Sequence, residues 1–533
     1  MPPLQAALQE WQQLLGTDRV LHGADIPPRF LADTSAAQRR VPAVLKIADS
    51  AQVPAVMRIA QAHKVAVHPV STGNNWGYGS ALPAAAEAVI LDMSGLQAIK
   101  HFDAELGVIT VEPGVTQAAL AEFLDRNGHR YMVPVTGAGP SCSVLANALE
   151  RGYGVTPYVD HFGAVTDLEA VLADGSIYRS ALREAGGDEL ARLFKWGIGP
   201  YVNGLFSQSG FGVVTSASIL LAPRPEACKV CIFNLKSDDL LEEAVSRIHH
   251  LLGSLPGIVG GLNLMNRHRV LAMTAPYPPA DQLDAQGLIP PELVAQLGAQ
   301  YQIAPWTGFA TLYGPRRVVA AAQKEIRQAL KGVASRLVFL SPQNVRLIAA
   351  LAARLPGPIG QRLGKTAGTL RQSLELVQGR PNETALPLAY WRAGVAQPPH
   401  GRHPARDACG LLWYAPLVPM RGPDIRRFID FATNELRRHG LEPLVTLTSQ
   451  GDRLFDSTIP LLFNLKDAAA QDAASRCLAQ LIEKGQQLGF YPYRLHVDAM
   501  KSHSERHPLS ARFIGQLRGA LDPDDLLAPG RYT

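Results

Sequence analysis

Cysteine is scarce in this chain, with five in 533 residues: Cys142, Cys228, Cys231, Cys409 and Cys477. An odd, sparse set in a long chain excludes a disulfide framework and reads as the reduced thiols of a cytosolic protein. Cys228 and Cys231 have CxxC spacing, but "CKVCIFNL" has strand character, and residues three apart on a strand point to opposite faces. Charge of one sign is also lacking. A net charge of +5 over this length, with no long Lys/Arg run, offers nucleic acid little to bind. No run of 18 apolar residues occurs, so no membrane-spanning helix is expected. The opening "MPPLQAALQEWQQLLG" lacks the basic start and continuous apolar stretch of a signal peptide. Its Leu4, Leu8, Trp11 and Leu15 recur at helical spacing instead. A cytoplasmic protein is expected. Internal repeats and low-complexity tracts are absent.

Familiar catalytic signatures are missing as well. The glycines of "GNNWGYG" do not form GxGxxG, so a Rossmann dinucleotide site is not indicated. "GQRLGKT" (360–366) is one residue short of a Walker A loop and follows a helix-like stretch, so no P-loop is expected. His503 and His507 in "HSERH" lack the HExxH order, and His400 and His403 have no acidic or thiol ligands nearby, so no metal site is expected. No GxSxG elbow is present.

What remains is a soluble, globular composition, 47% apolar and 18% charged, too long for a single core. From about residue 40 to 225 short strands alternate with helices. Ser50 can cap a helix carrying Val53, Val56, Met57, Ile59 and Ala60, and Thr116 can cap "QAALAEFLDRNG". "LEAVLADGSIYRS" reads as a hairpin turning at Asp174-Gly175. Pro223 and Pro225 mark a boundary, after which "GLLWYAP" and "TIPLLFNL" look like strands of one sheet. The expected organisation is a first domain over 1–225, a second over 226–488, and a C-terminal segment over 489–533.

One loop carries chemistry. In "HPVSTGNNWGYGSALP" (68–83) a strand runs into a turn rich in Gly, Ser and Asn. Such a turn points several amides and hydroxyls into one concavity, which binds oxyanions without a lysine. By its own chemistry it is equally a plain structural turn.

Together with further segments, the loop resembles the vanillyl-alcohol oxidase / para-cresol methylhydroxylase flavoprotein family. "PVSTGNNWGYGSALP" is similar to that family's pyrophosphate loop, and "SVLANALERGYGVTPYVDHFG" (143–163) to its second flavin-contacting stretch. "VLADGSIYR" and "FKWGIGPYVNGLFSQSGFGVVTSASILLAPRP" (194–225) complete the FAD-binding domain. "GLLWYAPLVP", "YRLH" and "DPDDLLAPGRY" resemble the cap strand, the substrate-binding tail and the terminal loop. The resemblance covers residues 40–225 and 407–533. It implies an α+β fold with a two-subdomain FAD-binding domain and an antiparallel-sheet cap domain flanked by helices.

For the site, the resemblance implies that Ser71, Thr72, Gly73, Asn74 and Asn75 cradle the FAD diphosphate. Ser143, Asn147 and Gly154 are placed along the isoalloxazine and ribityl side, and Gly210, Gly212 and Val214 near the adenine half. Arg531 falls at the pyrimidine end, where it stabilises reduced flavin. Tyr78, Tyr493 and Arg494 match positions that hold a phenol as its phenolate. The expected activity is hydride transfer from a small organic substrate, expected to be a para-substituted phenol, to flavin N5. Oxygen, a cytochrome or a quinone would then take the electrons, and a homodimer is implied. Two departures stand out. Leu411 occupies the position of the flavin-linking histidine, which implies noncovalent FAD or a link through another residue. Ala138 stands where the family carries an aspartate, so a quinone methide would lack a base for hydration. Rival readings are a flavin dehydrogenase of a 2-hydroxy acid or a biosynthetic intermediate, and a flavin-retaining binding module without turnover.

Overall fold

The computed structural model describes residues 2–85, 87–354 and 357–532; for 358–363, 365 and 366 it describes the backbone alone. The chain forms two compact units. The first comprises Met1–Tyr153, Asp160–Pro223 and Leu495–Thr533, and the second comprises Gly154–Val159 and Arg224–Arg494. The return to the first unit thus begins at Leu495, six residues beyond Gly489. Among the described residues no helix is long and apolar enough to cross a membrane.

The first unit holds two sheets. One has four strands in the order Val20–His22, Ala43–Lys46, Val89–Asp92, Val67–Val70. Its last two pairings are parallel. The N-terminal helix Pro3–Leu15 buries Ala7, Trp11 and Leu15 against it, as the helical spacing predicts, and Trp11 Nε1 donates to Val56 O at 3.1 Å. The cap of the next helical segment differs from expectation. Asp49, not Ser50, is the N-cap, accepting from Ala51 N, and Ser50 starts a short 3-10 turn before the helix Val53–His63. A carboxylate there also favours the helix's positive end. Thr116 caps Gln117–Arg126 as expected.

The second sheet is antiparallel, in the order Ile99–Asp103, Val108–Val111, Val213–Leu220, Val165–Val171, Ile177–Tyr178. The hairpin between its last two strands turns at Asp174-Gly175, with Gly175 at φ +80°.

The second unit is built on an antiparallel sheet. Its order is Ala334–Leu340, Ala227–Leu235, Trp306–Gly314, Val259–Asn266, Thr446–Gln450, Leu454–Asn464, Pro416–Pro419, Tyr491–Pro492, with Cys409–Tyr414 also paired to Leu454–Asn464. The two strands anticipated from "GLLWYAP" and "TIPLLFNL" are direct neighbours. One sheet face carries Phe233, Ala310, Leu264, Leu447, Phe455 and Ile459, all fully buried. Helices Arg316–Ala329, Gly422–Arg438 and Ala468–Gln487 pack on strands of this sheet, and Leu241–Ser254 packs on the first two of them. Cys228 and Cys231 lie on one strand of this sheet, and burial pushes both thiols up to about 12. The "GQRLGKT" segment runs through the helix Gly357–Val377; most of its side chains lie outside the described residues. The fold is α+β, with the antiparallel sheet of the second unit flanked by helices.

Candidate active site

The strand Val67–Val70 sits at the edge of its sheet, a position that tolerates Pro69, which cannot donate. The C-terminal stretch covers that edge: Val67 N donates to Leu526 O and Ala528 N to Val67 O, both at 2.8 Å. The stretch is fixed by Asp522, whose carboxylate accepts from Leu526 N at 2.9 Å and Leu527 N at 2.8 Å.

The strand delivers the chain into the glycine loop. Gly73, Gly77 and Gly79 take φ of +71°, +79° and +121°, a region closed to most side chains. The amides of Ser71, Thr72, Gly73 and Asn74 have no acceptor among the described residues. The side chains, by contrast, are tied back into the protein. Thr72 Oγ1 accepts from Ser143 N at 3.2 Å, and Asn74 Nδ2 donates to Ser141 Oγ at 2.7 Å. Gly77 N donates to Thr34 Oγ1 at 2.8 Å. A turn whose side chains are anchored and whose amides are left over is an oxyanion cradle, so these residues fit the diphosphate of FAD.

Anchorage centres on a group that sequence reasoning missed. Asp33, 3% exposed, accepts from Ser80 Oγ at 2.6 Å and Ser35 Oγ at 2.8 Å. His496 Nδ1 accepts from Asp498 N at 3.2 Å, so its Nε2 carries the proton and donates to Asp33 at 3.1 Å. Burial disfavours the carboxylate, yet the His496 and serine bonds outweigh it and hold Asp33 below its ordinary range. Thr34 and Ser35 are local partners of Asp33, but Ser80 and His496 lie 47 and 463 residues away, and those two links that make it a hub are not announced by "ADTSAA".

The remaining expected cofactor residues are placed as follows. Ser143 is buried; its hydroxyl donates to Pro113 O at 2.6 Å and accepts from Ala146 N at 3.0 Å, so it caps the helix Val144–Leu149. Asn147 Oδ1 is bonded to His161 Nδ1 at 2.6 Å, and Gly152 packs so tightly on its amide that a Cβ there would lie 2.3 Å away. Gly154 belongs to the second unit, where its N donates to Val159 O at 3.1 Å.

Gly210 and Gly212 are glycines for reasons of chain packing. Added Cβ atoms would meet Leu527 O at 2.5 Å and the Phe206 ring at 2.7 Å. Val214 is a buried strand residue opposite Ala170. Arg531 is ion-paired with Glu150, so its charge is already balanced within the fold.

Two buried histidines, His68 and His161, were also not anticipated. His68 Nδ1 and His161 Nε2 have no partner among the described residues. Burial, with the Arg531 charge, lowers His68 to about 3, and burial lowers His161 to about 4. Both are therefore neutral imidazoles near the loop-bearing elements.

Tyr78 is a buried residue of the first unit. Its carbonyl accepts from Val497 N at 3.1 Å, and a Cβ on Gly79 would strike Val497 Cγ1 at 2.5 Å. Tyr493 and Arg494 belong to the second unit, where Tyr493 N donates to Ala415 O at 3.2 Å. Leu411 is buried on the strand Cys409–Tyr414, beside Cys409, whose thiol burial pushes up to about 12. Ala138 N donates to Thr136 Oγ1 at 3.3 Å.

Residues 41–181 match the family model of an FAD binding domain. Over 534 residues, 99% of this chain and 97% of the relative, the sequence is 32% identical to the 1'-carboxy-chondrochloren decarboxylase of Chondromyces crocatus. The chain belongs to the para-cresol methylhydroxylase-type family of FAD-linked oxidases. It is 25% identical over 535 residues to the flavoprotein subunit of 4-cresol dehydrogenase [hydroxylating] from Pseudomonas putida, covering 98% of this chain and 94% of the relative. The fold is similar to that of p-cresol methylhydroxylase, with a TM-score of 0.84, 23% identity, and coverage of 99% and 96% of the two chains. A 4-ethylphenol oxidase from Gulosibacter chungangensis superposes with a TM-score of 0.87, at 23% identity over 99% and 97%. The protein is thus an FAD-dependent oxidoreductase of the para-cresol methylhydroxylase family.

Proposed function

We propose that the protein oxidises a para-substituted phenol at its benzylic carbon. The observation that carries this reading is similarity over nearly the whole chain to a 4-cresol dehydrogenase, where the relatives named for 2-hydroxy acids extend over less than half of it. FAD, when bound, supplies the two-electron acceptor. We assign Tyr78, Tyr493 and Arg494 to the phenol oxygen. Two hydroxyls and a guanidinium favour the phenolate, and a phenolate pushes electron density toward the para substituent, which eases hydride loss. Ser71–Asn74 hold the diphosphate through their amides. Leu411 cannot bond to a flavin methyl group, so the cofactor is held noncovalently.

The test is anaerobic bleaching of the flavin by 4-alkylphenols and by D-lactate. Bleaching by the phenols alone is expected; bleaching by the acid alone overturns the assignment. Acid precipitation should leave the yellow colour in the supernatant, and a yellow pellet overturns noncovalent binding. A flavoprotein that binds phenols tightly but never bleaches is the binding module instead.

A second reading of the same site is favoured by Ala138 together with the decarboxylase relative. With no carboxylate at that position, the quinone methide has no base for hydration. A carboxylate on the carbon beyond the benzylic one offers another exit. The bond to the carboxylate breaks, its electron pair forms the new C=C, and the ring recovers its aromatic phenolate. From 3-(4-hydroxyphenyl)propanoate the products are 4-vinylphenol and carbon dioxide, one of each per two electrons removed. Appearance of a hydrated alcohol in place of the vinyl product sinks this reading.

A further inference from the structure

In the second unit several polar groups are buried on one sheet face without partners. The pairings Asn263–Thr448, Thr448–Asp456 and Thr446–Thr458 put these five residues on a common face, because directly paired residues share one. It is the face opposite Leu264, Leu447 and Phe455. Asp456 is 0% exposed, and neither carboxyl oxygen has a hydrogen-bond partner among the described residues. Asn263 Oδ1 is in the same condition. Burial pushes the Asp456 carboxyl well above the usual carboxylate range, which favours the protonated form and the O–H it can donate.

A cation joins this face. Arg269 lies in the helix Arg267–Thr274, and its backbone N donates to Asn266 Oδ1 at 3.0 Å. Its Nε donates to Thr446 Oγ1 at 3.2 Å, which brings the guanidinium to the polar face. Nη1 is buried with no partner among the described residues. Burial alone lowers the group to about 10, with no carboxylate opposing the shift. Thr446 is the diagonal neighbour of Asp456 across the strand pair, a relation that separates Cβ atoms by about 7–8 Å. A guanidinium with one buried N–H group left unpartnered, brought to the same face as an acid whose protonated form burial favours, complements a ligand with two adjacent acceptor oxygens and one negative charge. A neutral ligand would leave the arginine uncompensated.

We propose that Arg269 and Asp456 form a carboxylate-binding subsite, so that the substrate is a phenol whose para substituent ends in a carboxylate. The proposal deepens the phenol reading and rests on it for the aromatic half of the ligand. One carboxylate oxygen takes the arginine N–H groups and the other accepts from the Asp456 O–H. The electronic work stays at the phenol, while the arm is held by its charge.

The test uses the FAD-loaded protein and ligands with no benzylic C–H, so that binding is read without turnover. (4-Hydroxyphenoxy)acetate carries the phenol and the carboxylate, 4-ethoxyphenol carries the phenol alone, and phenoxyacetate carries the carboxylate alone. Calorimetry on the wild type should favour (4-hydroxyphenoxy)acetate over 4-ethoxyphenol by roughly 10- to 100-fold, the range of a buried charge-assisted hydrogen bond. That ratio should fall to near one in Arg269→Met, and Arg269→Lys should recover part of it. Asp456→Asn, which keeps a neutral donor, should retain most of the preference, whereas Asp456→Leu should lose several-fold. An unchanged flavin spectrum in each variant establishes that the fold is intact. A wild-type ratio near one, or an equal loss for both phenols in Arg269→Met, overturns the subsite. If phenoxyacetate binds in an Arg269-dependent way as tightly as its hydroxylated analogue, the subsite stands and the phenol reading falls.

Discussion

Each unit buries a carboxyl group, Asp33 in the first and Asp456 in the second, and the two are treated in opposite ways. In the first, Asp33 is enclosed but answered by Ser35, Ser80 and His496, and its carboxyl is held low. In the second, Asp456 is enclosed and unanswered, and its carboxyl is driven up. The difference teaches what each is for. A carboxylate whose partners come from its own chain is a fastener, here of the glycine loop to the returning C-terminal segment. An acid with neither oxygen bonded, and an arginine with one buried N–H group unanswered, are on our proposal groups whose partner arrives from outside.

The sharpest way to break the comparison is to remove the fastener. Asp33→Ala should cost about 3–5 kcal/mol, because it strands His496 and two serines in the interior. A thermal unfolding midpoint unchanged from the wild type would refute the role. Sign matters for pH. A carboxyl held below its unfolded value contributes stability that is present above about 4. That contribution drains as pH falls further through the folded value, so the gap between wild type and Asp33→Ala should close in acid.

A smaller effect is expected at the loop itself. Gly73→Val forces a branched side chain into left-handed backbone, at a cost of roughly 1–2 kcal/mol. If those amides grip the diphosphate, FAD should dissociate about tenfold more readily, measured as flavin retained per polypeptide after dialysis. Full retention would mean that the cofactor does not depend on the turn.

Asp456 should respond with the opposite sign to Asp33. Its carboxyl is raised on folding, so it weakens the native state once pH climbs above about 4, where the unfolded chain ionises and the folded one does not. Asp456→Asn removes that penalty without removing any hydrogen bond. The unfolding midpoint should rise by a few degrees at pH 7 and stay level near pH 4. Destabilisation at pH 7 would show Asp456 to be another fastener.

The least effect is expected where the units do not differ. Thr116 in the first and Asp467 in the second both cap helices through their side chains. Each change to Ala should cost about 1 kcal/mol. A large disparity would mean that one unit is held mainly by local structure.

How much of this was legible beforehand follows the range of the interactions. The N-terminal helix, the Asp174-Gly175 hairpin, the Thr116 cap and the glycine turn rest on residues within a few positions of one another, and each forms as its pattern suggests. The cap at Asp49 was missed by one residue, because Ser and Asp side by side both accept from nearby amides. At Gly210 and Gly212 the need for glycine is tertiary, because Leu527 and Phe206 press against them.

Local periodicity and turn chemistry, read from the order of residues alone, determined several strands, the Thr116 helix start and the left-handed turn, since those energies act between near neighbours. Only the tertiary structure decided which buried polar groups have company. His496 reaches Asp33 across 463 residues, while the pairing of distant strands brings Asn263 opposite Thr448, onto the face where Asp456 lies buried with no hydrogen-bond partner among the described residues. Whether a carboxylate is satisfied depends on atoms within about 3 Å, and folding, not sequence distance, brings them there.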